Sequence, residues 1–165
     1  MEKWGTFATV AGTAAASLAG LLFVAVSIRT DVIARSQELR NRAAQTLALF
    51  VTVLFITILL AIPGQSYRVL GAELVALAVI TAVGQLMLNR RAAIDPRPRD
   101  AGAHTLASIL DAVAPNAVTS ALLLVAALLL VFDVHAGLDV LVLPVLTALA
   151  GGVTSAWLLL TKFPE

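Results

Sequence analysis

The sequence predicts an all-α fold: a polytopic bundle of five transmembrane helices, with the N-terminus outside and the C-terminus in the cytoplasm. Three observations carry this. Of the 165 residues 60% are hydrophobic and only 13% charged, whereas a soluble domain is about 45–50% apolar even with Gly counted and about 25% charged. A water-soluble fold of this size has too little interior to hide that much apolar surface, and the mean hydropathy of +0.97 agrees. Second, the charges cut the chain into five apolar blocks near the ~20 residues that cross a hydrocarbon core. Third, nine of the eleven Lys and Arg residues fall on one side of the resulting topology, the side that faces the cytoplasm. Open strand edges cannot face lipid, and the blocks lack the alternation of a barrel, so the blocks are helices.

The first block runs from Trp4 to Ile28, between Lys3 and Arg29. It is longer, and its start less basic, than a signal peptide requires, so it is read as an uncleaved span. No Gly or Pro occurs between Leu21 and Ile62, so this helix is expected to continue into the cytoplasm and turn near Ser36-Gln37 or Asn41. Asp31–Arg35 and Glu38–Arg42 supply favourable i,i+4 pairs there. The second span covers 43–62 and the third 69–89, joined through Pro63-Gly64-Gln65-Ser66-Tyr67-Arg68. Asp95-Pro96-Arg97-Pro98-Arg99-Asp100 is stiff and extended, because each Pro fixes its own φ and biases its predecessor away from helix. Asp100 then caps a short segment with Leu106, Ile109, Leu110 and Val113 on one face. That segment either lies on the inner leaflet or leads into the fourth helix with a kink near Pro115. The fourth span covers 112–132 and the fifth 140–161, with a kink at Pro144. Trp4 and Tyr67 fall at the outer interface and Trp157 near the inner one, where aromatic anchors belong. The chain is a single transmembrane domain over 1–165, since its longest stretch outside the spans, about 25 residues, is too short for an independent fold.

Chemistry is scarce. A net charge of +1 with no basic face gives no footprint for nucleic acid. With no Cys there are no disulfides, thiolate nucleophiles or iron–sulfur ligands. His104 and His135 fall on opposite sides of the bilayer and cannot share a metal or a dyad. His104, Ser108 and Asp111 share a helix face at i, i+4 and i+7, but a hydrolase needs an oxyanion hole and a nucleophile beside its base. A solvated polar face explains them better. No catalytic residue, metal ligand or cofactor is implied.

Two kinds of candidate remain. Glu73 is the one ionisable residue clearly inside a span, which is a default pointer to a proton or cation relay. It also lies in the first turns of its helix, where a carboxylate suits the N-terminal dipole and is within reach of headgroup water or Arg68. Gln85, like Asn116, Thr119 and Ser120, reads as interhelical hydrogen-bonding glue. The strongest pattern is packing. Ala8, Gly12, Ala16 and Gly20 recur at i+4 on the first helix, flanked by Thr9, Thr13 and Ser17. Ala148, Gly151 and Gly152, beside Thr147 and Ser155, repeat the idea on the fifth. Small residues let helix backbones approach closely. The second helix is bulky (Leu49, Phe50, Val53, Leu54, Phe55, Ile56, Ile58, Leu59) and reads as a lipid-facing element.

The stretch Ser17-Leu18-Ala19-Gly20-Leu21-Leu22-Phe23-Val24-Ala25-Val26-Ser27-Ile28, with Arg42-Ala43-Ala44, Ile62-Pro63-Gly64-Gln65 and Gly71-Ala72-Glu73-Leu74, resembles a group of small multi-pass bacterial inner-membrane proteins. Some of that group carry the label of modulator of the FtsH protease. The resemblance covers roughly the first half of the chain and implies a bacterial inner-membrane location without any catalytic residue. The functional expectation is therefore a non-enzymatic membrane protein acting through helix–helix association, as a homo-oligomer or an accessory subunit of a membrane complex. The alternative is a small oligomeric channel or transporter whose path runs between protomers past Glu73. For the orientation, a cysteine replacing Ser66 should be labelled by an impermeant thiol reagent in intact cells. One replacing Lys162 should be labelled only after permeabilisation.

Overall fold

The computed structural model describes residues 2–28, 37–94, 104–134 and 136–161. Within them the chain forms five helices: α1 (Glu2–Ile28), α2 (Gln37–Ala61), α3 (Tyr67–Ile94), α4 (His104–Val131) and α5 (Ala136–Thr161). Four carry stretches long and apolar enough to cross a membrane: Trp4–Ile28, Leu39–Ala61, Tyr67–Leu88 and Ala136–Trp157. In α4 the described apolar stretch is shorter, Asn116–Val131. Residues 29–36, the Pro-rich connection within 95–103 and His135 lie outside the described residues, as do the side chains of His104, Ser108 and Asp111. The backbone of α4 is nevertheless one helix from His104, so this segment leads into the fourth apolar stretch rather than forming a separate helix.

Two tight turns define one end of the bundle. Ile62-Pro63-Gly64-Gln65 places Pro at the second position and Gly64 at the third with φ +74°, the pattern of a type II turn. Ser66 then caps α3, its Oγ accepting from Val69 N at 3.4 Å, and Leu70 N donates to the Ser66 carbonyl at 3.0 Å. At the other turn α4 ends in a Schellman motif: Val134 N donates to Leu129 O at 2.9 Å and Asp133 N to Leu130 O at 3.0 Å. The left-handed residue of that motif, usually Gly, is Asp133 at φ +63°. A non-Gly residue there costs on the order of 1 kcal/mol. Its carboxylate meets Arg68 of α3 at 3.1 Å across the turn end, between exposed side chains.

Helices α2, α3, α4 and α5 pack in a ring, each against its two neighbours, with α2 and α4 approaching briefly across the middle. Helix α1 lies outside this ring, against α2 and the edge of α5, and among the described residues it meets neither α3 nor α4. The core is aliphatic: Leu49, Val53, Ile56, Leu70, Leu74, Leu123, Leu130, Leu141 and Val145 are buried. A second cluster joins Leu22 of α1, Ala43 and Phe50 of α2 and, from α5, Leu149 and Ala156.

The bulky second helix is not lipid-facing. Of its apolar stretch 56% is buried, the highest share of the four spans, and only Phe55 and Ile58 among the bulky residues named above are exposed. The reason is complementarity. Helices α1 and α5 present small residues toward α2, so its large side chains fill the space between backbones. Phe50 lies against Gly152, where a Cβ would collide with its ring, and Thr57 faces Gly12 with its Oγ1 2.9 Å from where a Cβ would stand.

Two glycines absent from the periodic stripes matter as much. A Cβ on Gly71 would stand 2.6 Å from Val131 N and 3.0 Å from Ala127 O, and one on Gly137 would stand 3.0 Å from Ala126 O. Ala126-Ala127 of α4 is thus the low point onto which α3 and α5 both close through a glycine. Because backbone cannot rotate aside, Gly71→Ala should destabilise by about 1–3 kcal/mol. Gly84→Ala, on the same helix with nothing within 4 Å, should be stabilising by up to about 1 kcal/mol. Thermal melting of both variants in detergent checks the contrast.

Candidate functional site

At the turn end, Gln65 folds back over the start of α3 and donates through Nε2 to Glu73 Oε2 at 2.5 Å. The Glu73 carboxylate is half-buried, and the other end of the Gln65 amide, Oε1, is shielded from solvent and unpartnered among the described residues. Glu73 does not pair with Arg68. The two are five residues apart, about 140° around a helix of 3.6 residues per turn, so Arg68 points to the α4–α5 turn and takes Asp133 instead. This end therefore holds two separate polar pairs, one buried in part and one exposed.

Across the described apolar stretches, most Thr side chains satisfy themselves. Thr46, Thr52, Thr57 and Thr81 each donate to a carbonyl three or four residues earlier, at 2.7–3.0 Å. Thr9 of α1 likewise donates to the Gly5 carbonyl at 2.9 Å rather than across a helix gap. One hydroxyl pair spans two helices: Thr119 of α4 and Thr147 of α5, 3.2 Å apart. Ser120 is half-buried beside it. Gln85 is half-buried on α3 and has no hydrogen-bond partner among the described residues.

The small stripes divide between two roles. On α5, Ala148 is fully buried, Gly152 seats Phe50, and Gly151 is half-buried. On α1 the predicted row splits. Ala8 is buried and Gly12 meets Thr57, but Ala16 is exposed and Gly20 has nothing within 4 Å. The face that meets the bundle is instead Ala8, Ala11, Ala15 and Leu22, a row that follows 3.6 residues per turn where a strict i+4 row drifts around the helix. Gly5, Thr6, Thr9, Thr13, Ala16, Ser17 and Gly20 lie on the outward side.

Among the described residues no group of three or more His, Asp or Glu side chains is placed to hold a metal ion. No protein-family model, curated protein or solved structure matches the chain.

Sequence reasoning placed Glu73 but missed its partner. Gln65 sits eight residues away, across a helix start, where neither helical periodicity nor charge matching points to it. Glu73→Leu removes the acceptor of Gln65 Nε2 and leaves both ends of that amide unpaired, so it should destabilise by about 1–2 kcal/mol. Glu73→Gln, which keeps an acceptor, should lose less than half as much by the same melting measurement.

Proposed function

We propose that this chain is a five-span protein of the bacterial cytoplasmic membrane that catalyses nothing itself and acts by associating through a helix face. In this reading it is a homo-oligomer or an accessory subunit of a membrane complex. The turn end lies outside and the C-terminus in the cytoplasm. The supports for that setting are the apolar helices, the concentration of Lys and Arg away from the turn end, and the resemblance of the first half to small bacterial inner-membrane proteins.

One observation carries the association. The exposed faces of α2 to α5 are bulky, with Phe55 and Ile58, Ile80 and Met87, Val125 and Leu128, and Leu143 and Leu146. The exposed face of α1 is small through its first five turns apart from Val10, and becomes bulky only from Leu21 onward. Large aliphatic side chains serve well against lipid, whereas small and hydroxyl residues let a second helix backbone approach closely. Helix α1 also lies outside the ring and touches α2 on one side only, so the opposite side is free for a partner helix.

The second reading, an ion path, draws on the half-buried Glu73. Val53, Ile56, Leu123, Ala126, Leu141 and Val145, all at 0% exposure, fill the ring, so such a path runs between copies rather than through one.

Gly20→Ile separates association from folding, because among the described residues no other part of the bundle comes within 4 Å of where a Cβ on Gly20 would stand. The melting temperature should hold while self-association, or capture of a partner from native membranes, weakens about tenfold, equivalent to about 1.4 kcal/mol. A wild-type protein that is monomeric and co-purifies with nothing contradicts the proposal.

A further inference from the structure

Buried amides and hydroxyls gather toward the end of the bundle opposite the turns. Near the turn end the buried layer includes Leu60, Leu70, Leu74, Leu130, Leu138 and Leu141, whereas toward the opposite end Gln45 and Thr46 of α2 and Asn116 and Thr119 of α4 are buried. Two of the hydroxyls there are already committed to backbone. Thr46 donates to the Arg42 carbonyl at 2.9 Å. Thr147 donates to the Leu143 and Pro144 carbonyls at 2.9 and 3.1 Å. A hydroxyl has one proton, so in the Thr119–Thr147 contact at 3.2 Å Thr119 is the donor. Its lone pairs remain.

Asn116 precedes Thr119 by one turn on the same buried face of α4. It is 5% exposed and makes no hydrogen bond to any described residue, and its Oδ1 is fully shielded and unpartnered. Side chains at i and i+3 have Cβ atoms about 5–6 Å apart, so one small donor can reach both Asn116 Oδ1, which nothing serves, and Thr119 Oγ1. An unsatisfied buried acceptor costs about 1–3 kcal/mol, and lipid around the bundle supplies no donor. Two neutral oxygens are too few for a dehydrated cation, which takes about six. A water molecule, with two protons to give, matches both the charge and the spacing.

We propose that Asn116 and Thr119 bind an internal water that donates to Asn116 Oδ1 and Thr119 Oγ1, beside the contact between α4 and α5. The site is independent of the α1 face and of any partner. It explains a buried Asn on a helix whose other buried side chains, among the described residues, are Leu, Ala and Thr.

The test is a double-mutant cycle on the full chain in detergent, with Asn116→Leu, Thr119→Val and the pair. Each single change should lower the melting temperature by about 3 °C, and the pair by less than the sum, because both changes lose the same water. If Asn116→Leu melts at or above wild type, or the losses add, the proposal fails. A density map that resolves waters should also show a peak within hydrogen-bond distance of both oxygens. A well-resolved Asn116 without that peak overturns it as well.

Discussion

The fit of Phe50 against Gly152 sets the arrangement of the bundle. Phe50 is 1% exposed, and its ring occupies the place a side chain on Gly152 would need. In lipid there is no hydrophobic drive between apolar helices, so packing and shape decide which faces meet. Helix α2 carries the volume and its neighbours carry the recesses: Gly152 and Ala148 on α5, Gly12 and Ala15 on α1. Once α2 is central, α3, α4 and α5 must close around its other side. They do so through Gly71 and Gly137 onto Ala126-Ala127.

This packing leaves the polar groups little freedom, and the chain deals with them locally. Most hydroxyls return to their own helix backbone. At the turn end Arg68 pairs with Asp133, and Glu73 takes a neutral amide from Gln65. Asp133 accepts a left-handed backbone that Gly would adopt without strain. An exposed ion pair returns less than about 1 kcal/mol, so the pair at best offsets the strain. Its structural effect is to pin the start of α3 to the α4–α5 turn.

Helix α1 stands apart in the same terms. The other four helices bury a face on each of two neighbours in the ring, while α1 buries Ala8, Ala11, Ala15 and Leu22 and turns its glycines and hydroxyls outward. A face built for close backbone approach yet directed away from the bundle is the feature that the association reading rests on. The ring itself is filled with aliphatic side chains through its middle.

The sequence by itself determined that the chain is helical and where its apolar helices lie. Composition and charge spacing act over whole segments, and a lipid environment leaves the backbone few alternatives. It also marked Glu73 as the ionisable residue within an apolar helix, and Gly12, Ala148 and Gly152 as packing positions. Only the tertiary structure decided which way each face turns. The i+4 row on α1 looked continuous, but a straight helix rotates such a row away, leaving Ala16 and Gly20 outside. Bulk on α2 suggested lipid until α1 and α5 supplied the recesses for it. Gly71, Gly137 and Gln65 carried no periodic signal, because each acts through a single contact with another helix or across a turn. Those contacts exist only once the helices are assembled.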